Sequence, residues 1–244
     1  MPVTQNILLY LGFALLSTHA AAIEFKSGPQ QSMLIELFTS QGCSSCPPAE
    51  AYLNRFQAHP LLWKSYFPLA FHVDYWDYLG WKDRFAKPQH RLHQEAYASL
   101  NHQGSIYTPG MFVNGSPWRQ GMFERVPPIS QEETGSLRVS LEKDRLSAEF
   151  RPAKPGNSPW VLHVAVVGMG LKSDIAAGEN SGRHSDHEFV VLHQQSQVSR
   201  EATWQLSLER TEFKETSRLA LVVWVNNENN PRPLQATGGY IALE

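Results

Sequence analysis

The chain has little cysteine, little net charge and, past its first two dozen residues, no long apolar run. Each shortage excludes something. Only two cysteines occur in 244 residues, too few for a disulfide framework or for a closed zinc site made of thiolates alone, which takes four ligands. A formal net charge of -2, with no basic stripe interleaved with aromatics, leaves no electrostatic footprint for nucleic acid, so no nucleic-acid partner is expected. No later segment reaches the roughly 20 apolar residues that a spanning helix takes, so no membrane is expected as a partner once a leader has been cleaved. Internal repeats are absent.

The N-terminus predicts the compartment. Residues 7–16 form an apolar run too short to cross a bilayer, and Ala20-Ala21-Ala22 supplies the small residues of a signal-peptidase site. A signal peptide is therefore expected over residues 1–22, although its first six residues carry no Lys or Arg. Export places the mature chain in the periplasm or outside the cell, where a pair of cysteines cycles between thiol and disulfide.

Those cysteines stand together in Cys43-Ser44-Ser45-Cys46-Pro47-Pro48. Upstream, Met33-Leu34-Ile35-Glu36-Leu37-Phe38 reads as a buried strand, and downstream the prolines suit a helix start, where a missing N–H costs nothing. This predicts Cys43 over unpaired amides at the positive end of a helix, an environment that favours thiolate and makes Cys43 the attacking sulfur. Cys46, one turn in, would resolve the mixed disulfide. A passive staple is the plain alternative, but so short a loop constrains the unfolded chain weakly. Metal binding is another, if histidines complete the ligand set.

The rest of the chain divides by its periodicity. Residues 30–126 read as an α/β redox domain: a helix over 49–58 with Tyr52, Leu53 and Phe56 on one face, a buried strand over 67–73, a helix from Pro88 to about Asn101, and a strand entering a turn at Asn114-Gly115. Residues 127–135 read as a linker. Beyond it the period changes to two, with a hairpin about Lys143-Asp144 and strands near 160–167, 188–193, 203–208 and 219–225, so residues 136–244 suggest a small antiparallel β domain.

The strand, the Cys-x-x-Cys helix and the later Thr108-Pro109 before a strand ending in Asn114-Gly115 resemble the thioredoxin superfamily. More specifically, residues 36–50 (Glu36-Leu37-Phe38-Thr39-Ser40-Gln41-Gly42 through Glu50) and 71–83, and less closely Gly178-Glu179-Asn180-Ser181-Gly182-Arg183, are similar to a secreted bacterial family, domain of unknown function 1223. The resemblance implies an α/β thioredoxin-like domain with an inserted helical segment, followed by a C-terminal antiparallel β-sandwich-like domain. It implies that Pro109, after Thr108, is a cis-proline that packs on the cysteine pair and helps dock an extended substrate. It also implies that Glu36 is a buried acid beneath the cysteines that relays protons, here with one additional residue between acid and Cys43.

Two features remain. The aromatic-rich stretch with Tyr75, Trp76, Tyr78 and Trp81 either lines a substrate groove beside the thiols, with Trp76 as contact, or cements the added helix to the sheet. His184, His187, Glu188 and His193 lie close in sequence, and His184-x-x-His187 with Cys43 and Cys46 is the ligand set of the rival reading, a metallochaperone-like protein holding copper or zinc. His72 reads as a hydrogen-bonded core residue. The leading expectation is a thiol–disulfide oxidoreductase without a cofactor, acting on a protein or small thiol/disulfide substrate; a non-catalytic binding module is a third possibility.

Overall fold

The computed structural model describes residues 22–119, 124–156, 158–208 and 216–242. The expected signal segment, apart from Ala22, lies outside them. After a short strand β1 (Ile23–Lys26), the apolar run becomes β2 (Met33–Thr39), buried along its whole length. Helix α1 (Pro47–Asn54) follows the cysteines, with Pro47 and Pro48 in its first turn and Ala49, Tyr52 and Leu53 turned inward. Strand β3 (Tyr66–His72) runs parallel to β2, with Glu36 opposite Leu69 and Thr39 opposite His72. Helix α2 (Pro88–Leu100) also opens on proline. Strands β4 (Gly110–Val113) and β5 (Ser116–Pro117) complete this half, turning at Asn114 and Gly115, both at positive φ.

The second half is built of strands: β6 (Gly135–Glu142), β7 (Arg145–Pro152), β8 (Trp160–Met169), β9 (Leu171–Asp174), β10 (His184–His187), β11 (Val190–Ser199), β12 (Thr203–Ser207), β13 (Arg218–Asn227) and β14 (Asn230–Ile241). One sheet of eight strands, in the order β14-β13-β8-β11-β3-β2-β4-β5, passes through both halves. The halves join where β11 lies parallel to β3 at Val190 and Ala70, and the Ala70 N–H donates to Phe189 O at 2.7 Å. A second sheet, β1-β6-β7-β12, and the small pair β10-β9 complete the molecule.

This overturns the expected fold class. An α/β thioredoxin-like domain with an inserted helical segment, followed by a separate β-sandwich-like domain, does not describe a chain with two α-helices against fourteen strands among the described residues; the architecture is multi-sheet and β-rich. The reason is visible in β13. Leu219, Leu221, Val223 and Val225 pack with Leu137, Val139 and Phe150 of the second sheet, while Ala220, Val222 and Trp224 join the core that holds Leu34, Phe38 and Phe71. Strand β8 divides in the same way, between Leu162, Val164 and Val166 on one face and Ala165, Val167 and Met169 on the other. A strand that is apolar on both faces must be covered twice. The C-terminal strands therefore do two things: β8, β11, β13 and β14 extend the N-terminal sheet, and β8 and β13 also close a second core with β6, β7 and β12.

Candidate functional site

Cys43 and Cys46 are joined in a disulfide with their Cα atoms 5.5 Å apart. Cys46 is the N-cap of α1, and its carbonyl accepts the amides of Ala49 and Glu50 at 2.9 and 3.1 Å. The unpaired amides expected to face Cys43 are otherwise engaged. Pro47 and Pro48 have none, those of Ala49 and Glu50 are held by Cys46, and that of Ser44 donates to Glu179 Oε2 at 3.2 Å. Ser45 Oγ lies 3.4 Å from Cys43 Sγ.

Both cysteines are covered, at 1% and 0% exposure. The turn that carries them is covered from two directions. A Cβ placed on Gly42 would meet Trp76 Cβ at 3.1 Å, so the turn before Cys43 lies directly against that tryptophan. Trp76 Nε1 in turn donates to Thr108 Oγ1 at 2.7 Å, and the Thr108–Pro109 peptide bond is cis. Trp76, Thr108 and Pro109 are therefore brought together beside the cysteine turn, each half-buried. The second cover is a loop of the C-terminal half, in which the buried Asn180 side chain donates to Gln41 O and Cys43 O.

The aromatic stretch serves the second of the purposes considered for it, cementing the added segment to the rest of the fold. Tyr75 hydroxyl donates to Gln94 Oε1 on α2 at 3.2 Å, and Trp81 Nε1 donates to Gln41 Oε1 at 2.8 Å, so both tie the stretch down. Trp76 lines the cysteine turn, and Tyr78 is 78% exposed.

Glu36 is fully buried, but its place corrects the expectation that it underlies the cysteines. Side chains alternate along β2. Thr39 faces α1, where its hydroxyl donates to Glu50 Oε1 at 2.6 Å, whereas Glu36 shares the opposite face with Phe38. Its partners are both on α2: Tyr97 hydroxyl donates to Oε2 at 2.8 Å and His93 Nε2 lies 3.2 Å from Oε1.

Two acids stand on the cysteine side of the sheet: the buried Asp83, and the largely covered Glu50, one turn into α1 after Cys46. His187 Nδ1 lies 3.3 Å from its Oε2, and His72 stands beside His187 with ring centroids 5.4 Å apart. His72 Nδ1 donates to Asp83 Oδ2 at 2.6 Å, and Asp83 also accepts the amides of Gln41 and Phe85. Burial pushes the Glu50 carboxyl up, but His187, His72 and the Thr39 hydroxyl together outweigh it and hold the group below its ordinary value. Burial pulls His72 down, yet the charge and hydrogen bond of Asp83, helped by Glu50, raise it; Asp83 is correspondingly lowered.

The metal set considered from sequence is not assembled. Cys43 and Cys46 are bonded to each other, and His184 and His187, three apart on β10, point to opposite faces. His184 is exposed and pairs with Asp174 at 2.5 Å, while His187 turns inward to Glu50. Sequence reasoning missed the grouping of Glu50, His72, Asp83 and His187. Part of the signal was present: Glu50 lies one turn from Cys46 and one turn from the buried Leu53, hence on the inner face of α1.

A model of the family described as protein of unknown function (DUF1223) matches residues 34–226. The chain belongs to that family. The match spans the cysteine turn, Glu50, Trp76, Pro109, the Asn180 loop and His187, so it extends over both halves of the eight-stranded sheet. No curated protein matches the chain. Among solved structures, a protein of Agrobacterium tumefaciens is similar with a TM-score of 0.61 and 21% identity, over 89% of this chain and 99% of that one. HBP35 of Porphyromonas gingivalis is similar with a TM-score of 0.57 and 14% identity, over 88% of this chain and 76% of that one. At these identities the likeness is one of fold.

Proposed function

We propose that this member of the DUF1223 family is an exported thiol–disulfide oxidoreductase whose working group is the Cys43–Cys46 pair, acting on protein or small thiols and disulfides. The observation that carries the reading is the pairing of the chain's two cysteines at the start of α1, with Trp76, Thr108 and the cis Pro109 grouped beside the turn. A staple closing a three-residue separation adds little stability, so exchange is the use that such a bond suits best.

The step balances within the pair. A substrate thiolate attacks Cys43 Sγ, the Cys43–Cys46 bond breaks, and Cys46 leaves as a thiolate and takes up a proton. A second substrate thiolate then attacks the substrate sulfur of the mixed disulfide, the bond to Cys43 breaks and Cys43 leaves as a thiolate, so the substrate is oxidised to a disulfide and the pair is reduced by two electrons. Run backwards, the same exchange reduces a substrate disulfide. Either direction requires the cysteine turn to open, since both cysteines are covered, and the Asn180 loop that holds the turn is one contact that can release it.

The test is an equilibrium titration of the folded protein against glutathione, with thiols counted by alkylation. A reversible two-electron transition is expected within the span of known exchange proteins, about -120 to -270 mV. Cys43→Ser should abolish exchange, and Cys46→Ala should accumulate a mixed disulfide. Sulfurs that stay inert at every poise in the folded chain, or turnover unimpaired in either variant, would reject the assignment.

A further inference from the structure

We propose that Glu50, His72 and His187 form a binding site for one divalent transition-metal ion of the zinc class, separate from the disulfide and built from α1, β3 and β10.

One donor atom from each residue lies within 4.8 Å of the others, with both histidines almost wholly inside the protein. Two of these donors have no hydrogen-bond partner: His72 Nε2 and His187 Nδ1. The approach of His187 Nδ1 to Glu50 Oε2, at 3.3 Å, lacks hydrogen-bond alignment. A buried ring nitrogen without a partner is costly, and two within 4.8 Å of one carboxylate make an unusual core but an ordinary ligand set. Two imidazoles and a carboxylate suit zinc and its neighbours better than the soft copper(I), which prefers thiolate and thioether.

The outer contacts agree with this use. His72 gives its Nδ1 proton to Asp83, and that carboxylate is itself held by two backbone amides. A carboxylate behind the ring directs the Nε2 lone pair into the site. Glu50 is steadied by Thr39. Gln41 sets the cost of loading. Trp81 can only donate, so it holds the Gln41 oxygen, and the Gln41 NH2 faces His187 Nε2 at 3.3 Å. The ring proton then sits on Nδ1 in the metal-free protein. Binding displaces that proton from Nδ1, while the donors draw in to the separations of about 3.4 Å set by metal bonds of 2.0–2.1 Å.

The experiment is calorimetric titration of zinc into the full chain with the disulfide intact, paired with X-ray absorption at the zinc edge. One equivalent is expected, with nitrogen and oxygen ligation and no sulfur. His72→Ala and His187→Ala should each abolish it, and Asp83→Asn should weaken it about 10- to 100-fold. Glu50→Gln, nearly isosteric, keeps the test open if a histidine variant fails to fold. The Cys43→Ser, Cys46→Ser double variant should bind as the wild type does, so failure of the redox reading leaves this result standing. No binding, binding that survives Glu50→Gln or either histidine change, or sulfur in the absorption spectrum would overturn the site.

Discussion

Asn180 donates both hydrogens of its amide to the cysteine turn, to Gln41 O at 2.8 Å and to Cys43 O at 2.9 Å, from a loop 137 residues beyond Cys43. Its own Oδ1 is buried without a partner. The C-terminal half therefore latches the segment that carries the disulfide.

Breaking that latch should expose the sulfurs. Asn180→Ala is expected to speed reduction of the folded protein by dithiothreitol, followed by thiol trapping. It should also lower stability by about 1–3 kcal/mol for the two lost hydrogen bonds. A reduction rate equal to wild type would show that the loop does not control access.

Phe38 is fully buried between Phe71, Tyr97 and Phe112, with ring centroids 5.4 to 6.3 Å away. Phe38→Ala leaves a cavity in the core that both halves share, at an expected cost of about 3–5 kcal/mol. Urea unfolding measures it. Because one sheet spans the chain, far-ultraviolet circular dichroism and tryptophan fluorescence should report a single shifted transition.

Gly238 lies opposite Val222 in the β13–β14 pair, at φ 153°, and a Cβ there would stand 2.0 Å from Leu221 O. Nothing in the backbone can yield that distance cheaply. Gly238→Ala should cost more than about 2 kcal/mol, and a melting temperature within a degree of wild type would contradict this register.

His163 supplies a pH dependence. Asn226 uses its NH2 on Asn227 O and Asn230 O, so its Oδ1 accepts from His163 Nε2, at 2.5 Å, and the buried Nδ1 is bare. Burial, with a smaller contribution from His93, lowers this histidine to about 4 from 6.5. Unfolded chain therefore binds more protons than folded chain between those values. This contribution to stability is complete above pH 6.5, falls as pH drops toward 4, and totals up to ~3 kcal/mol. His163→Gln should flatten that slope in denaturant titrations at pH 4.5 and 7; an unchanged slope would assign the proton uptake elsewhere.

The local elements were largely legible. The run 33–38, the prolines at 47, 48 and 88, and the Asn114-Gly115 turn each announce an element where β2, α1, α2 and the β4–β5 turn stand. Strands β1, β9, β10 and β14 were not foreseen; β14 contains Pro231, Pro233 and two glycines, which argue against a strand until a neighbour supplies the pairing. The fold class was also misread, because an apolar run shows that a strand is covered on both faces but not what covers it.

By itself, the sequence determined the chemistry that is local: two cysteines with two residues between them at a helix start, and a Thr-Pro step ahead of a short strand. Only the tertiary structure decided which acid meets the histidines beside the cysteine helix, which histidines meet, and that a distant asparagine holds the cysteine turn. Alternation along a strand is read from neighbours, whereas the pairing of Glu50 with His187 depends on how β3, β10 and α1 are stacked. That stacking is set by burial summed over both cores, a non-directional force that leaves no mark at any one position.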